Sequence, residues 1–344
     1  MRVAMYYSNS DIRLEEMPIP QIGPGELLMQ TEASGICGSD VMEWYRMHKV
    51  PLVLGHEVAG VVVQVGEGVG RYKVGDRITA AHHVPCNTCH YCLSGSHTVC
   101  DTLRKTNFHP GGFAEYIRLP AINVDRGTFR LPDEVSFEGA TFVEPVACVL
   151  RAQRRAGMRA GCSVLVIGSG IAGLLHVHLA RALGAGRVVA TDLVQHRLEA
   201  ARRFGADVAL HAEDDVPAHI RRMTDGRLAD VVIVCTGAEG AIAQALKSVE
   251  RHGTVLFFAP TGPGLTFPLS INDLFWRNEI TLTTSYAGSP ADHAAALELM
   301  RAGTLRVIEM ITHRLSLAET GLGFLMVAHP EEYSSIKVII QAQR

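Results

Sequence analysis

The sequence predicts an α/β protein of two domains, one irregular and mainly β, the other a doubly wound parallel sheet. Residues 1–148 are rich in Gly and Pro and in short β-branched runs, which are typical of strands between turns. From about Arg151 onward, short apolar stretches alternate with helical patterns, and apolar strands separated by helices indicate a parallel sheet covered on both faces. A length of 344 residues also favours two domains, because single cores rarely grow beyond roughly 250–300 residues.

Composition and charge exclude several classes of function. The chain is 47% hydrophobic and 19% charged, which is ordinary for a globular enzyme. Its net charge of −3 gives no bulk attraction for nucleic acid or for an anionic membrane. No stretch approaches the roughly 20 apolar residues of a membrane span, and the first residues carry no apolar run of signal-peptide length. We therefore expect a cytoplasmic protein that binds neither nucleic acid nor membrane.

In the first domain, β-branched stretches bounded by turn signals predict three strands: VAGVVVQVG (58–66), RITAAHH (77–83) and FAEYIRL (113–119). The tail ends in SSIKVIIQAQ, a predicted strand that needs a sheet to join. We expect the tail to return to the first domain, so that the α/β domain is an insert. The predicted domains are residues 1–148 with 289–344, and residues 149–288.

Short strands separated by helical patterns account for the second domain. Six are predicted: SVLVIG (163–168), RVVATD (187–192), DVAL (207–210), DVVIVCTG (230–237), TVLFFAP (254–260) and TLTTSYA (281–287). Helical patterns such as HRLEAARRFGA lie between most of them. This alternation predicts the parallel sheet.

The first of these strands runs directly into a glycine-rich turn, Gly168-Ser-Gly170-Ile171-Ala172-Gly173. A G-x-G-x-x-G pattern between an apolar strand and a helix predicts a dinucleotide-binding site. The first glycine permits the tight turn, the second lets the backbone approach a pyrophosphate, and the third lets helix and strand pack closely. The helix N-terminus then faces the phosphates.

An acidic residue at the end of the next strand predicts the choice of dinucleotide. Asp192 lies nineteen residues after Gly173, where a carboxylate can accept hydrogen bonds from both hydroxyls of the adenosine ribose and would repel a 2′-phosphate. Arg197 would favour such a phosphate. With Asp192 in place, however, we predict NAD rather than NADP.

Half of the eight cysteines fall within fifteen positions, in the stretch PCNTCHYCLSGSHTVC. They have the spacing C-x2-C-x2-C-x7-C and are Cys86, Cys89, Cys92 and Cys100. In a reducing compartment clustered thiols indicate a metal rather than disulfides, and four thiolates close a tetrahedral zinc shell. Because that shell has no open position, we predict a structural zinc site in the lobe 84–107. Because the four thiolates fill the zinc shell, His90 and His97 of this lobe are not needed as ligands.

A second, scattered group offers ligands for a catalytic metal. It comprises Cys37 in SGICGSD, His56 and Glu57 in LGHEVAG, and Glu144 in FVEPVAC. Glycine-flanked loops, and a Glu-Pro just before the domain change, distinguish these residues from ordinary core or surface positions. One soft and several harder ligands suit zinc. The sequence therefore predicts an open zinc site at the mouth of a cleft between the domains.

In this order, and over essentially the whole chain, these motifs resemble the zinc-containing medium-chain dehydrogenases/reductases, the superfamily of alcohol, polyol and threonine dehydrogenases. The resemblance rests on Cys37-Gly-Ser39-Asp40, Gly55-His56-Glu57, the four-cysteine lobe, Glu144-Pro145 and the glycine turn with Asp192. It implies a GroES-like, mainly β catalytic domain and a Rossmann domain, with the active cleft between them.

Position by position, the resemblance implies roles for the scattered group. Cys37, His56 and Glu144 match the catalytic zinc ligands. Glu57 matches an acidic neighbour that can approach or enter the coordination shell, and which glutamate is the resting ligand stays open. A glutamate at position 144 is similar to the polyol and threonine dehydrogenase branch. Ser39 matches the hydroxyl residue that begins a proton relay.

The continuation of that relay stays open. Met42 stands where related polyol and threonine enzymes often carry a histidine. His48, His82 and His83 are the alternatives, although each fits a structural or exposed position better.

The resemblance implies a reversible, NAD-dependent alcohol oxidation. Zinc lowers the pKa of a substrate hydroxyl, Ser39 takes the proton, and hydride passes to the nicotinamide. The favoured substrate is a secondary hydroxyl of a polyol, cyclitol or sugar derivative, with L-threonine and a simple alcohol as alternatives. The expected cofactors are NAD and two zinc ions per chain, one catalytic and one structural, and the expected assembly is a homodimer or homotetramer.

Two other classes of function compete with this interpretation, a zinc ribbon for nucleic acid and a non-catalytic dinucleotide-binding module. The lobe 84–107 has only Arg104 and Lys105 as basic residues and no aromatic–basic interleaving, which argues against the ribbon. Retention of every catalytic ligand argues against the binding module.

Overall fold

The computed structural model describes all residues from 1 to 344. The chain divides into two compact units, the first made of residues 1–147 and 287–344 and the second of residues 148–286. No helix of the chain combines the length and the apolar character that a membrane crossing requires.

The N-terminal part of the first unit consists of strands joined by turns and very short helices. The strands are β1 (Arg2–Ser8), β2 (Asp11–Glu16), β3 (Leu27–Gly35), β4 (Leu52–Val53), β5 (Glu57–Val65), β6 (Arg77–Ala80), β7 (Tyr116–Leu119) and β8 (Thr128–Arg130). The helices are α1 (Glu43–Arg46), α2 (His90–Leu93), α3 (Asp101–Lys105), α4 (Ala121–Arg126) and α5 (Phe137–Ala140), with 3₁₀ turns at Met47–Lys49 and His97–Val99.

From α6 (Val143–Arg155) onward, strands and helices alternate. The strands are β9 (Ser163–Ile167), β10 (Arg187–Asp192), β11 (Val208–His211), β12 (Ala229–Val234), β13 (Val249–Phe257) and β14 (Thr281–Thr284). The helices between them are α7 (Ile171–Ala182), α8 (Gln195–Arg203), α9 (Val216–Met223) and α10 (Glu239–Ser248), and a π-helical turn covers Ile271–Phe275.

The six strands of the second unit form one parallel sheet in the order β11-β10-β9-β12-β13-β14. This is the Rossmann order, in which the chain reverses direction across the sheet beside its first strand. All five residues of β9 are buried, as expected for a central strand with helices on both faces. The carboxyl end of β9 lies at this switch point, where open α/β sheets bind their ligands.

The tail returns to the sheets of the first unit. It forms α11 (Pro290–Arg301), β15 (Ile311–Ser316), α12 (Thr320–Ala328), α13 (Pro330–Tyr333) and β16 (Lys337–Gln341), with 3₁₀ turns at Val307–Met310 and Leu317–Glu319. The larger sheet has the order β15-β16-β3-β5-β6-β8, with β7 also on β3, and the smaller has the order β2-β1-β4. A mainly β unit and a parallel α/β unit confirm the predicted fold class.

A shared hydrophobic core explains why the tail joins this unit. Val338 and Ile340 of β16 are fully buried in one cluster with residues from the N-terminal part. Phe324 of α12 packs edge-on against Phe113, with ring centroids 5.8 Å apart. Burying such side chains contributes roughly 1.5–3 kcal/mol each, so the tail contributes substantially to the stability of this unit.

Two strands of the first unit are shorter than predicted. β6 ends at Ala80, because the next amide, that of Ala81, donates to the carbonyl of Gly127 (2.7 Å) rather than to β5. β7 begins only at Tyr116, since Ala114 forms an isolated bridge to Val3 instead of pairing with β3.

A buried histidine gives the second unit a specific response to acid. His176 of α7 is fully buried, its Nδ1 lies 3.3 Å from Nε2 of Gln153, and its ring meets that of Phe258 edge-on at 4.6 Å. Burial lowers the pKa of His176 to about 3. In the unfolded chain His176 is therefore protonated below about pH 6.5, whereas in the folded chain it stays neutral. The free energy of unfolding falls as the pH drops below that value.

We predict that His176→Leu weakens this loss of stability. Between pH 6.5 and pH 5 the wild type should lose about 1.6 kcal/mol more unfolding free energy than the variant. The slope approaches about 1.4 kcal/mol per pH unit only below pH 6.5, where the unfolded imidazole is mostly protonated. Urea unfolding at the two pH values measures this. His252→Asn, at a site 79% exposed, is the control and should match the wild type. Equal losses in wild type and His176→Leu would contradict the assignment.

Candidate active site and metal centres

Three of the predicted catalytic ligands meet at one edge of the larger sheet. β3 and β5 pair antiparallel with Gly35 opposite Glu57, so Cys37, just beyond the end of β3, comes beside His56, just before the start of β5. The ligand atoms of Cys37, His56 and Glu57 all lie within 4.8 Å of one another. A thiolate, an imidazole and a carboxylate are the donors that zinc takes in proteins, so this group fits a zinc ion.

Asp40 orients the histidine of this group. Its side chain is fully buried, with Oδ1 3.4 Å from Nδ1 of His56, and Oδ2 accepts a hydrogen bond from the backbone N–H of Cys37 (3.0 Å). A carboxylate on one ring nitrogen fixes the ring and leaves the other nitrogen to a metal. Burial alone would lower the pKa of His56, but the Asp40 carboxylate raises it well above its ordinary value. A metal that binds His56 must therefore displace a proton.

The hydroxyl predicted to begin a proton relay also lies at this group. Oγ of Ser39 is 3.4 Å from Sγ of Cys37. Arg46, only 14% exposed at its side chain, donates from Nη2 to Oγ of Ser39 (3.2 Å) and from Nε to the Ser39 carbonyl (3.0 Å). Its Nη2 is also 3.5 Å from Asp40. Arg46 thus ties Ser39 to Asp40, a role that the sequence did not reveal.

The two candidate glutamates differ in their placement. Glu57 is 1% exposed and forms an ion pair with the equally buried Lys337. Glu144 lies half-buried in the first turn of α6 and is not one of the three residues whose ligand atoms converge. Burial raises the pKa of Glu57, Lys337 opposes this, and the charge of Glu144 raises it further. The two carboxylates are therefore close enough to interact.

Two further histidines surround the group. The ring of His82 lies 4.7 Å from that of His56 and 3.9 Å from that of His83, whose Nδ1 is 2.8 Å from the Thr106 carbonyl. Burial keeps the pKa of His82 well below its ordinary value, so this imidazole is neutral. The pairing of Val58 with Ala80 in β5 and β6 is the signal that places residues 81–83 beside His56. His48 is exposed on a 3₁₀ turn.

The four cysteines of the lobe form a second, separate group. Neighbouring sulfurs lie 3.6 Å apart for Cys89 and Cys92, 3.6 Å for Cys100 and Cys86, and 4.0 Å for Cys86 and Cys92. Zinc–sulfur bonds of about 2.3 Å in a tetrahedron place the sulfurs about 3.8 Å apart, so the spacing fits zinc. His90 and His97 are not part of this group.

Hydrogen bonds within the lobe also lower the pKa of one of its thiols and hold the lobe in place. The amides of Thr88 and Cys89 donate to Sγ of Cys86 at 3.5 and 3.3 Å, and these hydrogen bonds lower the pKa of Cys86 to about 5. Arg126 donates to the Cys86 carbonyl at 2.6 Å and anchors the start of the lobe. With all four positions supplied by sulfur, a bound ion has none left for a substrate.

The glycine turn of the second unit has the geometry of a dinucleotide site. Gly168 has φ of +91°, which permits the tight turn after β9. A Cβ on Gly173 would lie 1.8 Å from the Gly168 carbonyl oxygen, so only glycine fits the strand–helix contact. Gly170 precedes the first turn of α7, where Ile171 and Ala172 lie. The backbone is thus open to a pyrophosphate at the helix N-terminus.

Asp192 is held rigidly at the end of β10. Its Oδ2 accepts from the amide of Ser169 (2.7 Å) and its Oδ1 from the amide of Val194 (2.9 Å). The carboxylate therefore braces the glycine turn and keeps lone pairs for a ribose. Nη1 of Arg197 lies 3.8 Å from Oδ2 of Asp192, and its guanidinium would lie 3.8 Å from a Cβ at Gly170.

Comparison with known protein families agrees with this arrangement. Residues 23–133 match the alcohol dehydrogenase GroES-like domain, and residues 172–302 match the zinc-binding dehydrogenase domain. The first range contains Cys37, His56, Glu57 and the cysteine lobe, and the second contains Gly173 and Asp192. Glu144 and most of the glycine turn lie between the two ranges.

Individual relatives and solved structures extend over nearly the whole chain. A sorbitol dehydrogenase of Gallus gallus is 32% identical over 318 residues, which cover 89% of this chain and 87% of the relative. A zinc-binding dehydrogenase of Sinorhizobium meliloti 1021, solved with NADP bound, has a TM-score of 0.88 and 30% identity, with 99% of each chain covered. A 2R,3R-butanediol dehydrogenase of Bacillus subtilis has a TM-score of 0.85 and 28% identity, again with 99% of each chain covered.

Fold, metal groups and relatives together define a zinc-dependent dehydrogenase with a nicotinamide cofactor. The chain belongs to the zinc-containing medium-chain dehydrogenases/reductases, in the branch that contains the sorbitol dehydrogenases. It is an oxidoreductase of the alcohol dehydrogenase type that uses zinc and NAD and acts on a small molecule.

We predict that Asp192→Ser shifts the preference from NADH toward NADPH. A lost hydrogen bond to a charged group costs about 1.5–3 kcal/mol, so NADH should bind roughly 10- to 150-fold more weakly. NADPH should bind more tightly because the repelling charge is gone and Arg197 is released. Fluorescence titration of both dinucleotides measures this, and Asp192→Ser/Arg197→Ala should lose the gain for NADPH. An unchanged preference in Asp192→Ser would contradict the role of the carboxylate.

Proposed function

We propose that the protein oxidises a secondary hydroxyl of a polyol, cyclitol or sugar-like substrate with NAD. The convergence of Cys37, His56 and Glu57, with the Ser39 hydroxyl against Cys37, carries this proposal. It gives the first unit a site for activating an alcohol, while the second unit provides the dinucleotide turn. The names of the relatives, sorbitol dehydrogenase and butanediol dehydrogenase, support a substrate with adjacent hydroxyls.

Each residue of the group has a distinct proposed role. A zinc ion held by Cys37, His56 and one of the two glutamates would supply the Lewis-acid chemistry that lowers the pKa of a bound hydroxyl. Ser39 accepts the proton of the substrate hydroxyl. Asp40 keeps the His56 ring in its ligating orientation through Nδ1.

Arg46 defines how the serine hydroxyl is used. Arginine keeps its protons at every working pH and only donates hydrogen bonds, so its bond to Oγ of Ser39 occupies one oxygen lone pair. The second lone pair is left to receive the substrate proton. The O–H donates to Sγ of Cys37 (3.4 Å) and must turn away from the sulfur to pass its own proton on. The charge of Arg46 also favours an electron-rich Ser39 oxygen.

Likeness to the family supports two further proposals about the protein as a whole. We propose a homodimer or homotetramer, located in the cytoplasm. The two units described above support proposed domain limits of 1–148 with 289–344 and 149–288.

A substrate screen tests the proposed reaction. We expect NADH formation, followed by its absorbance, with one or more polyols or cyclitols and at least about tenfold lower kcat/KM with L-threonine and with simple primary alcohols. A preference for L-threonine would select the main alternative. Absence of turnover with all of these alcohols, in protein that carries zinc and binds NADH, would support a binding module instead.

We predict that Cys37→Ser removes turnover but leaves the fold and NADH binding intact. The loss in kcat should exceed about 100-fold, because even outer-shell partners of a metal contribute 10–100-fold. The variant should also contain one zinc ion per chain where the wild type contains two, as measured by metal analysis.

Cys89→Ser is the matched variant in the other metal group. It should also lose one zinc ion, but its first effect should be a lower unfolding midpoint, with activity falling only as folded protein is lost. Full activity in Cys37→Ser would refute the catalytic site. An unchanged midpoint with abolished turnover in Cys89→Ser would place the chemistry in the lobe.

A further inference from the structure

A short segment of the first unit connects the candidate metal group to the cysteine lobe. It runs from Ala81, just after β6, to Cys86, the first thiol of the lobe, and it carries His82, whose ring lies 4.7 Å from that of His56. His56 is thus contacted from two sides, by Asp40 at Nδ1 and by the ring of His82. Whatever fixes this segment therefore helps to fix a proposed metal ligand.

A fully buried asparagine holds the end of the segment that lies beside the metal group. Asn123 of α4 donates from Nδ2 to the carbonyls of Ala81 (2.8 Å) and His82 (3.0 Å). The Ala81 amide donates to the carbonyl of Gly127, at the end of α4. Only glycine fits there, because a Cβ on Gly127 would lie 2.4 Å from Cγ1 of Val84. The segment is therefore packed closely against α4.

The other end of the segment is held by different side chains. Arg126, also in α4, donates to the carbonyls of Pro85 (3.1 Å) and Cys86 (2.6 Å). These bonds do not involve Asn123. Loss of the Asn123 amide would therefore free the backbone of His82 while the lobe stays anchored.

The side chain of Asn123 serves this segment through its two N–H donors alone. Its Oδ1 is buried and has no hydrogen-bond partner, although an unpaired buried oxygen costs free energy. An aspartate could not take this place, since its oxygens would repel the two carbonyls. The position thus requires a pair of donors, and both of them are used on the backbone beside His56.

On the basis of the proposed metal site, we propose that Asn123 is a positioning residue, which holds the ring of His82 against His56 and so steadies that imidazole as a metal ligand. The carboxylate of Asp40 orients the His56 ring from Nδ1, but one contact at a single atom leaves the ring free to tilt. The contact with the His82 ring supplies the second restraint. Asn123 is not itself a ligand and acts through His82.

Cobalt spectroscopy tests this role. In holoenzyme with cobalt at the Cys37 site and zinc in the lobe, the visible d–d bands report the ligand geometry, and competition with a chelating dye reports the cobalt affinity. Asn123→Ala should change the bands and weaken cobalt binding about tenfold, the lower end of the effect of outer-shell partners. His82→Ala should do at least as much. The double variant Asn123→Ala/His82→Ala should match His82→Ala, because the amide acts only through that ring.

Tyr72→Phe is the matched control for a purely structural effect. Tyr72 is buried and donates to the Thr128 carbonyl, just after α4, at 2.5 Å. The variant therefore loses a buried hydrogen bond of the same region without touching the segment. It should lower the unfolding midpoint, as Asn123→Ala does, but keep the cobalt spectrum and affinity of the wild type. A spectral change as large as that of Asn123→Ala would mark a general loss of packing and would overturn the inference.

The outcomes separate this inference from the proposed function. A wild-type spectrum and affinity in Asn123→Ala, or a loss in the double variant beyond that of His82→Ala, would make Asn123 a structural residue only. If Asn123→Ala does not fold, His82→Ala decides the question, since an unchanged spectrum there would remove the ring contact on which the inference depends. Uptake of metal only in the cysteine lobe would refute the proposed catalytic site and this inference with it. Absence of turnover with every alcohol, together with the expected cobalt results, would refute the proposed reaction and leave the role of Asn123 supported.

Discussion

The antiparallel pairing of β3 with β5 is the contact on which the candidate active site depends. It places the residue after one strand beside the residue before the other, so that Cys37 and His56 meet although nineteen positions separate them. The same register sets Glu57 opposite Gly35 and so creates the space for Lys337. Since successive side chains of a strand alternate between faces, a slip of one residue would move Glu57 to the other face of the sheet.

The ligands of the two metal groups are brought together in different ways, one by short spacing and the other by strand pairing. This difference determines how much of each group can be predicted from the sequence. The cysteine lobe is local: short spacing and backbone amides bring its four thiols together, so the pattern alone indicates zinc. The group at Cys37 is assembled by strand pairing, so no short sequence spacing between its ligands predicts a metal site. Its ligands were found only through glycine-flanked loops and the family resemblance, and their catalytic roles stay predictions.

The same distinction explains what the sequence did and did not reveal elsewhere. The apolar strands, the glycine turn and Asp192 were all predictable, because periodicity and short motifs encode them, and the fold class is confirmed. Lys337 was not, since a lysine in an apolar strand gives no sign of a partner 280 residues away. The sequence offered His82 only as one of three alternatives for the relay, and it gave no sign of the contact of Arg46 with Ser39 and Asp40. The contacts of Lys337 and His82 form only when distant segments pack, whereas Arg46 lies seven positions from Ser39 and its contact is local.

The return of the tail to the first sheet has a consequence for the order of assembly. β16 is synthesised after the whole of the second unit, yet it supplies Lys337 and buried core residues to strands made some 300 positions earlier. During translation, Glu57 therefore has no ion-pair partner until Lys337 has been synthesised, near the end of the chain. A nascent or truncated chain can complete the cysteine lobe, but it lacks the lysine that lies behind the second metal group. Of the two candidate metal groups, the one at Cys37 is thus the later to acquire all of its neighbouring residues.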